Sequence, residues 1–379
     1  MCLSGGGFRA ALFHLGALRR LNELGILSQV EAVSAVSGGS VVAAHLAERV
    51  RVWPARGEAI PDWEATVAAP FRAFASRNLR TGPLLRRAIP SNWLRSDAAI
   101  EAMVSRLQRT LVKLDLTELP DRPRYIFSAT DMTFGVNWIF EKTRVGDFQA
   151  GYLVPAPGWP VARAVAASSC FPPVFGPMRL RLRPEELRGG RLRGAERDKL
   201  IAGLRLTDGG AYDNMGLEPV WKTYPKVLVS DGGAVFDYAS SSNPIRRLLR
   251  YPAIVGKQAA AVRKRWLIAS FAKGTLAGAF WSLASAPPPD EPGAHYSKYL
   301  IDELIVPIRT DLDAFSAAEI AVLENHGYLA AERTIRSWAP GLVTRDAPPI
   351  VPHPDWLKDE ARIRDALRGS HARTLLGRH

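Results

Sequence analysis

Cysteine is nearly absent from this chain of 379 residues: only Cys2 and Cys170 occur, far apart in sequence. Such a pair provides neither a disulfide framework nor a thiolate metal cluster, and it fits a reducing compartment. No group of histidines, cysteines or carboxylates has the spacing of metal ligands either. We therefore expect the protein to need no metal and no other cofactor.

Long apolar runs are also missing. No stretch approaches the roughly 20 residues that span a bilayer. Residues 1–7 lack the charged and apolar regions of a cleaved secretion signal. We expect a cytoplasmic or peripheral membrane protein, and export by a route that needs no cleaved signal stays open.

Acidic residues are the minority: 37 stand against 50 basic ones, which gives a formal charge of +13. Surface arginines favour phosphate, either of nucleic acid or of anionic lipid. A genome-wide bias toward arginine and alanine would produce the same excess, so charge alone selects no partner. The hydrophobic content of 47% is enough for a folded core, in one α/β domain with insertions or in two domains.

The beginning of the chain has the pattern of a βαβ unit. A short strand over residues 1–4 runs through a glycine loop into a helix over about 8–24. A second strand over about 30–36 is followed by another apolar helix over 41–50. The two strands are predicted to be parallel neighbours joined by a right-handed crossover.

The rest of the chain mixes strand signals with helical and basic segments. Strands are predicted over residues 125–130, 136–140, 204–207 and 227–230. The other segments are a helical insertion over 51–118, a basic surface excursion over 181–199, a basic apolar helical stretch over 259–271, a helix over 316–338, and a loosely attached Pro/Arg-rich tail over 339–379.

Ser37 stands where the second strand meets its helix. The small neighbours Ala35 and Gly39 allow a sharp turn that exposes the serine hydroxyl, and the helix N-terminus favours negative charge there. This pattern is typical of a serine nucleophile, although Ala35 replaces the first glycine of G-x-S-x-G. A serine-glycine turn that merely caps a helix has the same local sequence.

Three glycines end the neighbouring strand. Parallel strands bring their carboxyl ends to the same edge of a sheet, so the amides of Gly5, Gly6 and Gly7 are predicted to face Ser37 as an oxyanion hole. A glycine loop before a helix also suits a phosphate. However, neither G-x-G-x-x-G nor the Gly-Lys-Ser/Thr ending of a P-loop is present.

Two predicted strands each run into an Asp-Gly-Gly loop, at Asp208 and at Asp231. A carboxylate at a strand end can accept the serine proton if its surroundings favour the protonated form. Taken alone, either loop also fits an ordinary turn closed by an aspartate. Local sequence therefore does not choose between the two aspartates.

Histidine is the usual partner of a serine nucleophile, and His14 and His45 are the nearest candidates. Both lie on predicted helices, too far along them to reach the strand ends easily, so we interpret both as core or surface residues. His326 is interpreted as structural. Cys170 has no base nearby in sequence, and its surroundings favour packing.

Taken together, three motifs resemble those of patatin-like phospholipases. Residues 4–10, SGGGFRA, are similar to the family's oxyanion motif, in which an arginine follows the glycines by two positions. Residues 34–40, SAVSGGS, match the nucleophile motif, and residues 208–216, DGGAYDNMG, match the loop of the catalytic aspartate. Further matches at 129–131, 167–175 and 325–328 extend the resemblance to about residue 330.

The resemblance implies a three-layer α/β/α fold with a mainly parallel central sheet, in a catalytic domain over residues 1–338. It implies that Ser37 and Asp208 form a catalytic dyad, because the residues after Asp231 do not fit the family pattern. Arg9 is implied to support the oxyanion loop or to meet anionic head groups. The remaining supporting positions are glycines: Gly39, Gly209 and Gly210.

The predicted function is that of a serine lipid acyl hydrolase of the phospholipase A or lysophospholipase kind. An aspartate without histidine must be desolvated to act as a base, so an apolar site is expected. Phospholipid and an anionic membrane surface are the expected partners, and no nucleic acid is expected. Segments 51–118 and 259–285 are candidates for the lipid-facing surface. The alternatives are an acyltransferase, a general esterase, or a catalytically silent basic protein that binds membrane or nucleic acid.

Overall fold

The computed structural model describes residues 1–85, 97–171, 175–233, 244–288 and 293–372. In this part of the chain, eleven strands form one sheet. The strands are β1 (Cys2–Leu3), β2 (Ala32–Val36), β3 (Arg124–Asp131), β4 (Val136–Phe140), β5 (Val145–Asp147), β6 (Gly151–Leu153), β7 (Met178–Arg179), β8 (Leu187–Arg188), β9 (Arg205–Asp208), β10 (Lys226–Asp231) and β11 (Ala277–Ser282).

Helices flank this sheet. The α-helices are α1 (Gly7–Glu23), α2 (Gly38–Arg49), α3 (Ala69–Ala75), α4 (Thr81–Leu85), α5 (Ala98–Thr110), α6 (Val161–Ser168), α7 (Ala195–Ala202), α8 (Gly210–Asp213), α9 (Pro244–Ala272), α10 (Lys298–Leu300), α11 (Ala317–Trp338) and α12 (Glu360–Leu367). Within the described ranges, two stretches are π-helical, Glu64–Ala68 and Ile301–Ile305. Short 3₁₀ turns lie at Leu27–Gln29, Leu116–Glu118, Pro184–Glu186, Pro340–Leu342 and Pro354–Trp356.

The centre of the sheet is parallel. Strands β11, β10, β1, β2 and β3 lie side by side in that order, all parallel. Antiparallel strands β4, β5, β6 and β8 extend the sheet beyond β3. Helical crossovers are needed between parallel neighbours, whereas the shorter connections from β3 to β6 permit antiparallel pairing. The predicted α/β fold with a parallel centre is confirmed, and the predicted βαβ unit is β1–α1–β2.

Strand β9 enters the sheet in an unexpected direction, antiparallel to β3. It pairs with the last residues of β3, on the same edge that β2 occupies further back. Val36, the end of β2, pairs with Ser128, and Asp208, the end of β9, pairs with the next residue, Ala129. The two strands therefore meet end to end, and the residues at their tips become neighbours.

Both faces of the sheet are covered, as the alternation of side chains along β3 shows. Tyr125 and Phe127 belong to the large core that includes α1, α2 and α6, whereas Ile126 points to the opposite face. On that second face Leu217 and Leu267, the latter from α9, complete a smaller core. The helices of the large core, the sheet, and the segments that pack on its second face thus form the three layers that the sequence predicts.

Helices α1 and α11 touch backbone to backbone on the large-core face. A methyl group added at Gly16 would overlap the carbonyl oxygen of Glu324, and one added at Gly327 would overlap that of Phe13. Only glycine permits this close approach. The 325–328 motif of the sequence therefore has a packing explanation at Gly327. Ser316 caps α11 and forms a capping box with Glu319.

Two expectations about the second half of the chain need correction. The 259–285 segment is not one lipid-facing unit, because its last part forms β11, the edge strand of the sheet. The tail from residue 339 is not loose over residues 339–372. Ile363 and Leu367 of α12 are buried, and the amides of Thr344 and Arg345 donate to the carbonyl oxygen of Leu24. Residues 373–379 of the tail lie outside the described ranges.

The insertion over residues 51–118 contains the first π-helical stretch and α3, α4 and α5, and its residues 86–96 lie outside the described ranges. The excursion over residues 181–199 contributes the short strand β8 and most of α7. Within the part of the chain that the structure describes, none of the helices has both the length and the apolar character needed to cross a bilayer.

Candidate active site

Ser37 occupies a sharp turn between β2 and α2. Its backbone has φ 50° and ψ −116°, a conformation that side-chain-bearing residues rarely adopt. The turn requires glycines on its helical side. A methyl group at Gly38 would overlap the carbonyl oxygen of Gly7, and one at Gly39 would overlap that of Leu3. The strand-to-helix junction thus presses directly against the glycine loop.

Ser168 holds this turn from behind, a contact that sequence reasoning missed. Its hydroxyl accepts a hydrogen bond from the amide of Ser37 at 2.8 Å and donates one to the carbonyl oxygen of Ser128 at 2.6 Å. The hydroxyl of Ser40 lies 2.8 Å from that of Ser168 and donates to it, because the Ser168 proton is already committed. Ser168 belongs to the 167–175 match, of which residues 172–174 lie outside the described ranges.

Asp208 lies at the tip of β9, and its carboxylate is close enough to the hydroxyl of Ser37 for that hydroxyl to lower its pKa. The amide of Gly210 donates to Asp208 Oδ1 at 2.7 Å. Burial raises the pKa of Asp208 to about 6, although the amide of Gly210 and the hydroxyl of Ser37 oppose that rise. A carboxylate with this pKa is ionised at neutral pH yet basic enough to accept a proton.

The glycines that follow Asp208 are required by close contacts. A methyl group at Gly209 would overlap the carbonyl oxygen of Ser128. One at Gly210 would lie 2.6 Å from Asn214 Oδ1 and 3.0 Å from the carboxylate of Asp208. The loop can therefore bring the carboxylate to Ser37 only without side chains at these two positions.

Asp231, the competing aspartate, has a different environment at the end of β10. Its carboxylate pairs with Lys264 at 3.0 Å and accepts the amide of Gly233 at 3.0 Å. Burial disfavours the charged form, but Lys264 and Gly233 outweigh it and hold the pKa of Asp231 below its usual range. Asp231 is thus a paired anion and a poor proton acceptor.

The three glycines of the loop are not equivalent. The amide of Gly5 already donates to the carbonyl oxygen of Asn214 at 3.0 Å, and Asn214 Nδ2 returns a hydrogen bond to Gly5 at 3.4 Å. In the described part of the chain, no acceptor is found for the amides of Gly6 and Gly7. The prediction that Gly5 is an oxyanion donor therefore needs correction: its amide is occupied. Gly5 instead allows the loop to approach Ser37 closely, since a Cβ at residue 5 would lie 3.1 Å from the Cβ of Ser37.

Arg9 is buried, 3% exposed, beneath the glycine loop. Its guanidinium donates to the carbonyl oxygens of Val306 at 3.0 Å, Ile308 at 2.8 Å and Gly232 at 3.3 Å. Of the two roles expected for Arg9, contact with anionic head groups is wrong for this conformation, because the side chain is enclosed. Its bonds instead tie the start of α1 to two neighbouring segments.

The three histidines considered in the sequence analysis are all buried, and they hydrogen-bond to groups other than the Ser37 hydroxyl. His14 Nε2 donates to the carbonyl oxygen of Ser4 at 3.0 Å, and its Nδ1 accepts from the hydroxyl of Ser230 at 2.7 Å. His45 and His326 bond backbone carbonyl oxygens at 2.9 and 2.7 Å. Burial lowers the pKa of each to about 4. All three are neutral packing residues at physiological pH.

Cys170 is also buried, and its thiol donates to the carbonyl oxygen of Ala167 at 3.0 Å. Burial raises its pKa to about 12, which keeps the sulfur protonated and unreactive. Over the described ranges, the structure holds no group of three or more His, Cys, Asp or Glu side chains arranged for a metal ion.

Helix α9 is attached to both aspartate loops, a connection that no sequence signal indicated. Arg263 pairs with Asp213 at 3.3 Å and donates to the carbonyl oxygen of Tyr212 at 2.8 Å. The next residue, Lys264, pairs with Asp231. The Asp208 loop, which contains Asp213, is therefore tied to the Asp231 loop by adjacent residues of one helix.

The site combines a serine hydroxyl beside a buried carboxylate, an adjacent glycine loop and a helix N-terminus. The solved structures of VipD from Legionella pneumophila and of human GIVD cytosolic phospholipase A2 are similar to this chain at 14% and 15% identity, each with a TM-score of 0.37. The alignments cover 88% and 68% of this chain, but 66% and 45% of those chains, which is less than two thirds of either. No curated protein matches the chain significantly.

The family comparison covers more than half of the chain. The model of the patatin-like phospholipase family matches residues 1–221, a range that contains the glycine loop, the Ser37 turn and the Asp208 loop. These are the three segments that the fold brings to one place. The chain therefore belongs to the patatin-like phospholipase family.

Proposed function

We propose that this protein hydrolyses the fatty acyl esters of phospholipids, as a phospholipase A or lysophospholipase, with Ser37 as nucleophile and Asp208 as base. The observation that carries the proposal is the end-to-end meeting of β2 and β9, which brings the Ser37 hydroxyl beside the buried carboxylate of Asp208. Membership of a family of lipid acyl hydrolases supports the substrate class.

In the first half of the reaction, Ser37 Oγ attacks the ester carbonyl carbon as its proton passes to Asp208. The tetrahedral oxyanion is stabilised by amides at the site, of which Gly6 and Gly7 are the candidates in the loop. Gly38 supplies a third, since the amide that follows the nucleophile commonly serves this purpose. Collapse of the intermediate breaks the bond to the alcohol, which takes the proton from Asp208, and leaves an acyl-serine.

In the second half, water attacks the acyl-serine and gives its proton to Asp208. The second tetrahedral intermediate collapses, the fatty acid leaves, and the proton returns to Ser37. The pKa of about 6 suits both roles of Asp208, because the carboxylate accepts a proton and releases it within one cycle. Burial is what raises this pKa, so the site needs no histidine for proton transfer.

The net charge of the protein indicates where the reaction takes place. A protein with a formal charge of +13 is attracted to anionic lipid surfaces, where the substrate lies. We propose peripheral attachment of a protein that otherwise stays in the aqueous phase. A nucleic-acid partner has no support from a binding motif in the sequence.

The test is fatty-acid release from phospholipid vesicles by the purified protein, compared with Ser37→Ala and Asp208→Asn. Both variants should lose at least about 10³-fold in rate, because each removes an essential step of proton transfer. Asp231→Asn is the matched control and should keep most of the activity. Equal release by all four proteins would refute the dyad, and loss in Asp231→Asn alone would reassign the base.

Adding a small alcohol separates hydrolysis from acyl transfer. The proposal predicts that free fatty acid remains the main product when the alcohol is present at millimolar concentration. Preferential formation of the new ester would identify an acyltransferase that uses the same serine. Cleavage of short soluble esters with no activity on phospholipid would identify a general esterase.

A further inference from the structure

Helix α9 presents apolar side chains to solvent. It contains 29 residues, a length of about 43 Å. Leu248, Tyr251, Val255 and Val262 are 70%, 67%, 68% and 57% exposed. Their spacing of three, four and seven residues places them on one side of the helix, and Trp266, 38% exposed, continues the same line four residues later.

This line of residues, here called the α9 stripe, does not face the core. Leu267 of α9 is fully buried against the sheet, and it lies on a different side of the helix. Arg263 and Lys264, which bind the aspartate loops, also lie outside the stripe. An amphipathic helix normally turns its apolar side to the protein interior. In α9 a different side of the helix packs against the protein interior, so the stripe is left without a covering in the described structure.

The charge of α9 is of one sign. Its sequence contains no aspartate and no glutamate, and its basic residues are Arg246, Arg247, Arg250, Lys257, Arg263, Lys264 and Arg265. Such a helix repels a second copy of itself, since neither copy offers an acidic partner. It complements a surface that is negatively charged and apolar just below the charge.

We propose that the α9 stripe is the membrane-docking surface of this protein and that its occupant is a bilayer containing anionic phospholipid. The stripe enters the boundary between head groups and acyl chains, and basic residues of the helix lie against the phosphates. This rests on the proposed function only in that a bilayer is where a phospholipid substrate is found. The docking itself requires no catalysis.

The ion pairs between α9 and the two aspartate loops place the α9 stripe near the candidate active site. Arg263 and Lys264 bind Asp213 and Asp231, whose loops flank Ser37 and the glycines. The carbonyl oxygen of Gly232, next to Asp231, would be 2.7 Å from a methyl group at Gly6. A helix that rests on the bilayer therefore holds the catalytic edge of the sheet about one helix diameter, roughly 10 Å, from the lipid.

The experiment is vesicle flotation of the Ser37→Ala protein, in which lipid turnover does not alter the vesicles. Vesicles of phosphatidylcholine with one third phosphatidylglycerol are compared with pure phosphatidylcholine. The stripe variant carries Val255→Glu and Val262→Glu. Its matched control carries Val52→Glu and Ile350→Glu, which make equivalent changes at residues 86% and 66% exposed outside α9. Glutamate is a good helix former, so α9 is kept.

We expect the parent protein and the control to bind the anionic vesicles alike, and the stripe variant to bind about tenfold or more weakly. Equal binding by stripe variant and control, whether strong or weak, would overturn the proposal. So would a dimer, seen by light scattering, that the stripe variant dissociates while its vesicle binding is unchanged.

Activity on a soluble short-chain ester separates this proposal from the proposed function. With Ser37 restored, the stripe variant should cleave that ester as fast as the wild type while its rate on anionic vesicles falls. An inactive wild type that still binds vesicles through the stripe would refute the proposed function and leave the docking surface intact.

Discussion

Val36 and Asp208 pair with consecutive residues of one strand, Ser128 and Ala129, although β2 and β9 run in opposite directions. This end-to-end meeting is why Ser37, the residue after Val36, lies against a carboxylate from far along the chain. The distance between the two groups is therefore set by the backbone of β3. Strand pairing thus holds the carboxylate beside Ser37.

The pKa of Asp208 sets the expected pH dependence of activity. The base must be ionised in the free enzyme, and burial raises its pKa to about 6. We therefore expect kcat/KM to be low at pH 5, to rise through about pH 6 and to level off above pH 7. A pH–rate profile on a soluble ester checks this. An inflection below pH 4.5 would mean that Asp208 is not the titrating base.

Ser168→Ala tests the support behind the Ser37 turn. Removing the hydroxyl leaves the amide of Ser37 without its acceptor and the hydroxyl of Ser40 without its partner. We expect kcat to fall about tenfold with little change in KM, because the nucleophile is displaced and the binding surface is not.

The neighbouring residue provides the control for that variant. Ser169 is also buried, but its hydroxyl has no hydrogen-bond partner in the described structure. Ser169→Ala should therefore keep wild-type kcat. A similar fall in both variants would show that the segment is merely sensitive to substitution.

The acidic pair Asp131 and Asp147 should make the protein less stable as pH rises. Asp131 and Asp147 are both buried, Oδ2 of each has no hydrogen-bond partner in the described structure, and each carboxyl shifts the pKa of the other. Burial, together with Asp131, raises the pKa of Asp147 to about 7. Its folded pKa thus lies above its unfolded value of about 3.9, so the folded state holds the extra proton and loses stability as pH rises from about 4 to 7.

Asp147→Asn removes this penalty, because an amide can donate to Asp131 at any pH. We expect the free energy of unfolding to increase by about 1–3 kcal/mol at pH 8 and to change little at pH 4.5. Urea titrations at the two pH values measure this difference. Asp355→Asn, at an exposed site, should change neither value. A loss of stability at pH 8 in Asp147→Asn would contradict the raised pKa of Asp147.

Gly327→Ala tests the contact between α1 and α11. The new methyl group would overlap the carbonyl oxygen of Phe13, so the helices must separate. We expect the free energy of unfolding to fall by about 2–4 kcal/mol. Gly256→Ala is the matched control: it also lies within a helix but has open space around it. That change should stabilise the protein by up to about 1 kcal/mol.

The beginning of the fold and the neighbourhood of Ser37 could be predicted from sequence because they depend on local patterns. The apolar spacing before and after residues 5–7 and 37–39 indicates strand, turn and helix directly. Gly38 and Gly39 are forced by contacts within the same βαβ unit, whereas the glycines at 5–7 are forced by contacts with remote segments. The choice of Asp208 over Asp231 required the family pattern, since the two loops differ in the cation supplied by Lys264, which comes from a remote helix.

Other features were unpredictable because they depend on distant partners. The direction of β9 is decided by pairing with β3, and nothing in residues 205–208 encodes it. The amide of Gly5 is occupied by Asn214, which approaches from another loop. The richness of the tail in proline and arginine predicts a loose segment, yet Ile363 and Leu367 are enough to bury one side of α12.

The pairing of β9 with β3 has a consequence for how this protein can change. The register of Asp208 is fixed by Ala129 and its neighbours and does not depend on the length of chain between the two strands. Residues 188–196 of that intervening chain are mostly exposed. Insertions or deletions there are therefore tolerated without moving the carboxylate, and this excursion is the natural site for grafting a new module onto the enzyme.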